Sequence, residues 1–441
     1  MQKLRENIAV RREKAILVGA LFKNTYADNL AELTALAESA GAIIVDKLQQ
    51  KITHIHPATY IGRGKAEMIC QRAKKTGAEV IIFDNDLSPG QIRKLEEIIE
   101  VKVIDRSELI LDIFVSRAQT KQAQLQVELA QLEYTYPRLT RMWSHLDTVT
   151  GAAGGPAAGA VGGIGTRGTG EKQLEIDRRI VSKKIIELKR ELAEIDSRKM
   201  REIEARGGMF KICLVGYTNA GKSTLMNTLT DAGVYVADRL FATLDTRTRQ
   251  WTLGGGQKVL LSDTVGFVRN LPHQLVASFK ATLEEAVNAD LLLHIVDVSS
   301  GDAESQAENA KKVLDEIGCK EKNILVLLNK ADIVKNQAQF ELLQTIYPDA
   351  ISISAKTGMN LDVLREKVCE IYTGGQVVLR VTASAADGKI QNYLAANATI
   401  LQQQFTDSTV VMDVRLGKNR LAELERFRPE KIEQIDADKK F

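Results

Sequence analysis

Gly216-Tyr-Thr-Asn-Ala-Gly-Lys-Ser223 decides how the middle of this chain folds. It fits G-x-x-x-x-G-K-[ST], the loop that wraps nucleotide phosphates. The apolar run Ile212-Cys-Leu-Val215 leads in, and Leu225-Met-Asn-Thr-Leu229 leads out with helical spacing, so the stretch reads strand, loop, helix. Loop N–H groups and the helix N-terminus then face the phosphates, where the helix dipole favours negative charge. Gly216 and Gly221 permit the tight path, and Tyr217, Thr218, Asn219 and Ala220 complete the cradle. Lys222 brings a point charge to the terminal phosphates and Ser223 a hydroxyl for Mg2+.

Three further motifs follow in order, each at the end of an apolar run. Asp263, Thr264, Val265 and Gly266 come after Val259-Leu-Leu261, with the aspartate suited to the Mg2+ shell and Gly266 to a backbone approach to the γ-phosphate. Asn329, Lys330, Ala331 and Asp332 follow Ile324-Leu-Val-Leu-Leu328. The Asp332 carboxylate can accept from guanine N1–H and its exocyclic amine. Adenine offers no such donor pair, and a buried acceptor left unpaired discriminates strongly. Lys330 is expected to pack across the base, and Asn329 to tie the loop together. Ser354, Ala355 and Lys356 close the base pocket after Ile351-Ser-Ile353. Between the first two motifs lie Phe241, Ala242, Thr243, Leu244 and Asp245, where Thr243 can close over the γ-phosphate and ligate Mg2+ beside Ser223. Lys222, Thr243 and Gly266 are the expected catalytic residues of a domain that binds GTP and GDP.

The chain has 441 residues, 44% hydrophobic and 27% charged, enough for two or three domains. A formal net charge of +3 is nearly balanced, so any nucleic-acid contact has to come from local clusters. Four cysteines without a C-x-x-C pair fit a reducing compartment and no zinc site. Met1-Gln-Lys-Leu-Arg-Glu6 has no apolar signal core and no apolar run reaches membrane-spanning length, so a cytoplasmic protein without membrane insertion is expected.

Residues 1–115 alternate strands (15–19, 43–45, 80–83, 101–104) with helical patterns, the mark of a small parallel α/β domain. Gly62-Arg-Gly64 could hold an anion or simply turn the chain, and Asp84-Asn-Asp86 could line a crevice or form an Asx turn. His54 and His56 read as structural. In residues 116–205, Leu125, Leu129, Leu132 and Tyr136 form one apolar stripe, which Pro137 should end. Leu174, Val181, Ile185, Leu188, Leu192 and Ile195 form a second, so a long antiparallel helical hairpin is expected. Its connection, Gly151 to Gly170, is rich in glycine and could be a plain flexible connector, while Arg138, Arg141, Trp143 and Arg167 in and beside it suit insertion against RNA. The nucleotide domain spans 206–372. Residues 373–441 read as a small α+β domain with strands at 376–382 and 409–415, helices at 389–403 and 420–427, and a frayed tail.

Taken with the junction Gly162-Gly-Ile-Gly-Thr-Arg-Gly-Thr-Gly-Glu-Lys-Gln-Leu-Glu175, these motifs resemble the HflX family of translation-associated GTPases, close to the Obg group. Thr169 and Lys172 depart from the family's usual residues in that junction, away from the nucleotide motifs. The resemblance covers essentially the whole chain. It implies a monomeric factor that binds the large ribosomal subunit and, with GTP, separates stalled or idle ribosomes, its N-terminal domain and hairpin reaching toward the peptidyl-transferase region. A GTP-toggled RNA- or protein-binding switch is the alternative. Phe267 stands where many GTPases place a water-orienting glutamine, so unaided hydrolysis should be slow. Asn219 either stabilises the turn of the loop or stands where some related GTPases ligate K+, which would make K+ an activator beside Mg2+.

Overall fold

The computed structural model describes residues 13–22, 30–142, 168–205, 209–230, 247–253, 257–269, 285–406 and 408–435. They fall into two compact units. One holds the chain to Ala205 together with the described part of Val268–Thr282, and the other holds the remainder.

The first unit opens with β1 (Lys14–Phe22), α1 (Ala31–Ala40), β2 (Ile43–Ile52), α2 (Arg63–Thr76), β3 (Val80–Phe83), α3 (Pro89–Ile99), β4 (Lys102–Ile104) and α4 (Arg106–Arg117). All four strands pair in parallel, in the order β2-β1-β3-β4. The near-continuous apolar runs of β1 and β3 are buried, as strands covered on both faces require. Helix α3 starts at a full capping box, Ser88 with Gln91, followed by Pro89.

The polar residues at the strand ends serve as cross-links. Asn85 accepts from Ala20 N–H and donates to its carbonyl, and Asp86 accepts from Ser107. Asp84 pairs with Arg106, which is 2% exposed and also binds Glu32. The Asp84-Asn-Asp86 stretch therefore reaches across to neighbouring elements instead of folding back on its own backbone as an Asx turn. Among the described residues no group of three or more His, Cys, Asp and Glu side chains is gathered as a metal site, and His56 Nδ1 lies 3.0 Å from Thr59 Oγ1 within its own turn. Gly62 caps the start of α2.

Next come α5 (Lys121–Met142) and α6 (Gly168–Ala205). Leu125, Leu129, Leu188 and Leu192 form their shared core, flanked by Leu132, Ile185 and Ile195. Ser182 Oγ donates to Tyr136 Oη at 3.1 Å, and Lys121–Glu191 and Lys189–Glu133 pairs bridge the two helices. Helix α5 does not stop at Pro137; it runs five residues further, to Met142. Tertiary bonds just beyond the proline oppose the local cost. Arg138 donates to Asp105 at 3.0 Å and to the Leu87 carbonyl, and its guanidinium lies 3.3 Å from the Tyr134 ring centroid. Arg138 thus anchors the hairpin base, a structural task where RNA contact was expected. Residues 143–167, with Trp143, Arg167 and most of the glycine-rich connection, and the side chains of Arg141 and Leu174 lie outside the described residues.

The second unit contains β5 (Lys211–Gly216), α7 (Lys222–Thr230), β6 (Arg247–Thr252), β7 (Lys258–Asp263), β8 (Leu291–Asp297), α8 (Ala303–Glu316), β9 (Asn323–Asn329), α9 (Gln337–Ile346), β10 (Ile351–Ser352) and α10 (Leu361–Thr373). The sheet order is β10-β9-β8-β5-β7-β6, parallel except for β6 against β7. This is an open doubly wound sheet, whose strand C-termini form the usual ligand crevice.

The chain then forms β11 (Gln376–Ser384), α11 (Gly388–Asn397), β12 (Thr399–Phe405), β13 (Thr409–Gly417), α12 (Leu421–Arg426) and β14 (Lys431–Gln434). With the antiparallel order β12-β13-β11-β14, this is a ferredoxin-like β-α-β-β-α-β module. The expected helix over 389–403 ends at Asn397, and Thr399–Phe405 is an edge strand instead. Its glutamines carry no strand preference of their own; pairing with β13 decides the matter. The tail from residue 436 lies outside the described residues.

Asp105 is fully buried and accepts from Glu108 N–H, Tyr134 Oη at 2.7 Å and Arg138. Asp105→Ala should strip the largely buried Arg138 of its carboxylate partner and Tyr134 Oη of its acceptor, and destabilise the first unit by about 3 kcal/mol or more. Tyr134→Phe should cost only about 1 kcal/mol. Native-state hydrogen exchange of the β3 amides reads both.

Candidate functional site

The site is built on the C-terminal ends of β5, β7 and β9. At the end of β5 the chain turns through the phosphate loop into α7. Gly221 has φ +98°, and a Cβ there would meet Asn329 Nδ2 at 2.3 Å, so any side chain would displace the asparagine. Asn329 explains that close approach. Its Nδ2 donates to the Ala220 carbonyl at 2.7 Å, and its Oδ1 accepts from Ala355 N–H at 2.9 Å. One buried carboxamide therefore joins the phosphate loop, the end of β9 and the loop after β10. The hydroxyl of Thr228 on α7 adds a further link by donating to the Ala355 carbonyl at 2.8 Å.

Lys222 is 6% exposed, and its Nζ donates to the carbonyls of Gly216 at 3.1 Å and Tyr217 at 2.8 Å. These bonds hold two of the three ammonium protons and fix the charge over the loop. Ser223 Oγ donates to Asp263 Oδ2 at 2.6 Å, with Asp263 almost fully buried. A hydroxyl and a carboxylate this close form a hard-oxygen donor set that suits Mg2+ better than a softer metal. Thr264 donates to the Leu214 carbonyl, which sets the path of the segment after β7. Phe267 N–H then donates to the Gly216 carbonyl at 3.0 Å, and Phe267 O accepts from Thr218 N–H at 2.8 Å. This backbone pairing brings Gly266 onto the phosphate loop.

On the base side, Lys330 adopts φ +63° and its Nζ binds Asp297 Oδ2 at 2.7 Å. Asp297, at the end of β8, also accepts from Ser299 N–H and Oγ. Asp332 lies exposed on a single 3-10 turn, Ala331–Ile333, tied back by Ala331 N–H to the Ile353 carbonyl. Ser354 is buried, with its Oγ accepting from Thr357 N–H, while Lys356 is exposed. Gly216–Ser223, Asp263–Gly266, Asn329–Asp332 and Ser354–Lys356 thus meet around one crevice. Phe241–Asp245, including Thr243, lie outside the described residues.

Two groups here escaped the motif reading. Asp297 positions Lys330, and only its place at a strand end could have marked it. His294 on β8 is held neutral, its pKa pushed down to about 4 by burial first and then by the charges of Lys222 and Lys311. Burial also lowers the Lys222 pKa to about 8, with Asp263 opposing the shift.

That shift gives a pH test. A bound phosphate stabilises the Lys222 ammonium, so GDP affinity should be flat below about pH 8 and fall as pH rises above it, by at most about tenfold per unit. Titrations between pH 7 and 9 should show this slope in the native protein. Lys222→Ala should bind more weakly throughout and lack the slope.

Comparison with known proteins identifies the chemistry. Residues 27–115 match the family described as GTP-binding GTPase N-terminal, 117–206 the GTP-binding GTPase Middle Region, and 211–330 the 50S ribosome-binding GTPase. The GTPase HflX of Lacrimispora saccharolytica is 41% identical over 400 residues, covering 90% of this chain and 91% of its own. That of Caldanaerobacter subterraneus is 39% identical over 408 residues, 92% of this chain and 91% of its own. The Escherichia coli K12 protein of the same name is 37% identical over 409 residues, 92% of this chain and 93% of its own. No helix among the described residues is long and apolar enough to cross a membrane. This chain binds GTP and GDP and hydrolyses GTP to GDP and phosphate, and it belongs to the HflX family of GTPases.

Proposed function

We propose that this GTPase docks on the large ribosomal subunit, is stimulated there, and separates stalled or idle ribosomes into subunits. Phe267 carries the reading. Its main chain is bonded to the phosphate loop on both sides and its side chain is 3% exposed. A buried phenyl ring cannot orient an attacking water, so the hydrolytic site needs a group from outside. A match to 50S ribosome-binding GTPases over the nucleotide domain makes ribosomal RNA or protein the natural source.

In this reading each residue has one task. Loop N–H groups and Lys222 hold the β- and γ-phosphates. Ser223 and Asp263 would hold Mg2+, which neutralises charge developing on those phosphates. Gly266 offers its N–H to the γ-phosphate and Thr243 closes over it. Asp332 reads guanine, Lys330 covers the base, and the Ser354-Ala-Lys356 loop faces the guanine oxygen. The hairpin bears Arg178, Arg179, Lys183, Lys184, Lys189 and Arg190 along a little over three turns of α6, with Lys184 and Lys189 paired to glutamates, and the remaining basic charge suits RNA phosphates. GTP sets the N-terminal domain and hairpin against the subunit, and hydrolysis releases them.

GTP turnover measured with and without purified large subunits checks this. Turnover should be slow alone and rise at least about a hundredfold with subunits. Lys222→Ala should abolish it, and deletion of residues 151–170 should remove the stimulation while sparing basal turnover. Rapid turnover indifferent to subunits would sink the ribosomal reading and favour a GTP-toggled switch with another partner.

A further inference from the structure

Thr218, the third residue of the phosphate loop, spends its main-chain donor on structure. Its N–H donates to the Phe267 carbonyl at 2.8 Å and so is not offered to a phosphate. The chain then turns sharply, with Asn219 at φ +61° and Ala220 N–H donating to the Tyr217 carbonyl at 3.2 Å. What Thr218 can still donate to a ligand is its hydroxyl.

That hydroxyl is buried, on a residue 9% exposed, and Oγ1 has no hydrogen-bond partner among the described residues. Other hydroxyls around the crevice are satisfied within the protein. Ser223 donates to Asp263, Thr228 to the Ala355 carbonyl and Thr264 to the Leu214 carbonyl. A buried hydroxyl without a partner opposes folding, and valine would fill the same shape without that cost. Packing alone does not account for a threonine here.

The side chain also stands at a telling place. A Cβ added to Gly266 would lie 2.7 Å from both Thr218 Cα and Thr218 Cγ2, and 2.8 Å from Lys222 Nζ. Gly266, the Lys222 ammonium and the Thr218 side chain therefore converge, and all three belong to one compact unit. Oγ1 and Cγ2 branch from the same Cβ, so rotation about a single side-chain bond carries the hydroxyl into the place of the methyl. Gly266 and Lys222 are the groups that meet the γ-phosphate in the reading above, and Thr218 borders the same place. Phe267, next to Gly266, brings a phenyl ring and no side-chain donor.

We propose that the Thr218 hydroxyl donates a hydrogen bond to a γ-phosphate oxygen of GTP and so sets the preference of the loop for GTP over GDP. This rests on the reading of the crevice as the GTP site. GTP gives the buried hydroxyl a charged acceptor, whereas GDP has no γ-oxygen and leaves it unpaired. A site built to hydrogen-bond a group rejects the analogue that lacks it. The bond to an anionic oxygen is of the stronger, charge-assisted kind.

The test uses the full chain, with GDP and the non-hydrolysable imido analogue of GTP as probes. Thr218→Val keeps the shape and removes the hydroxyl. It should lower affinity for the imido analogue relative to GDP by about tenfold or more. Thr218→Ser keeps the hydroxyl and should retain the native ratio. Should Thr218→Val fail to fold, Thr218→Ala against Thr218→Ser isolates the hydroxyl in the same way, and the ratio should fall only in the alanine variant. An unchanged ratio in folded Thr218→Val, an equal loss for both nucleotides, or a serine variant as weak as the valine one would overturn the proposal and leave the GTP site standing. Failure of the native protein to bind either nucleotide would overturn both.

Discussion

The carboxamide of Asn329 is the constraint on which the nucleotide site depends. Its donor and acceptor each meet a main-chain partner from a different loop, Ala220 and Ala355, and the group is 1% exposed. In so dry a place neither partner can turn to water, so losing one bond costs the desolvation of the orphaned group as well as the bond. Three loops that share no secondary structure are thereby held as one surface. Gly221 has to be glycine for the same reason, since the asparagine occupies the space a side chain would take.

The N-terminal unit uses buried charge in a comparable way. Arg106 links α1, the end of β3 and its own helix α4 through Glu32 and Asp84, and Asp105, one residue earlier, ties α4 to the hairpin base through Tyr134 and Arg138. Burial raises the pKa of the Asp84 carboxyl above its ordinary value, with Arg106 opposing the shift. Such pairs contribute little net stability compared with apolar packing, but breaking one leaves an uncompensated charge. What they fix is geometry, here that of α1, α4 and the hairpin base.

The C-terminal module shows how far a local pattern can mislead. Lys389 to Gln403 is rich in Ala, Leu and Gln, which favour helix, yet the helix ends at Asn397 and the chain returns as β12. Edge pairing with β13 supplies backbone bonds that residues 399–405 could not all make as an isolated last turn of helix. Pro137 misleads in the opposite sense. A proline that should break a helix is carried through it because Arg138 is anchored on Asp105 and Leu87, outside the helix.

The sequence by itself determined the nucleotide chemistry. Phosphate-loop and guanine motifs depend on residues a few positions apart at strand ends, so their spacing carries their function. The parallel α/β alternation and the paired helical stripes were legible for the same reason, because periodicity is a local property. Only the tertiary structure decided what Asp84, Arg106, Glu32 and Arg138 do. Their partners lie 22 to 237 residues away, and no local pattern encodes such a contact. It also decided that Gly266 rests on Lys222, which follows from two backbone bonds at Phe267 that any residue type could make.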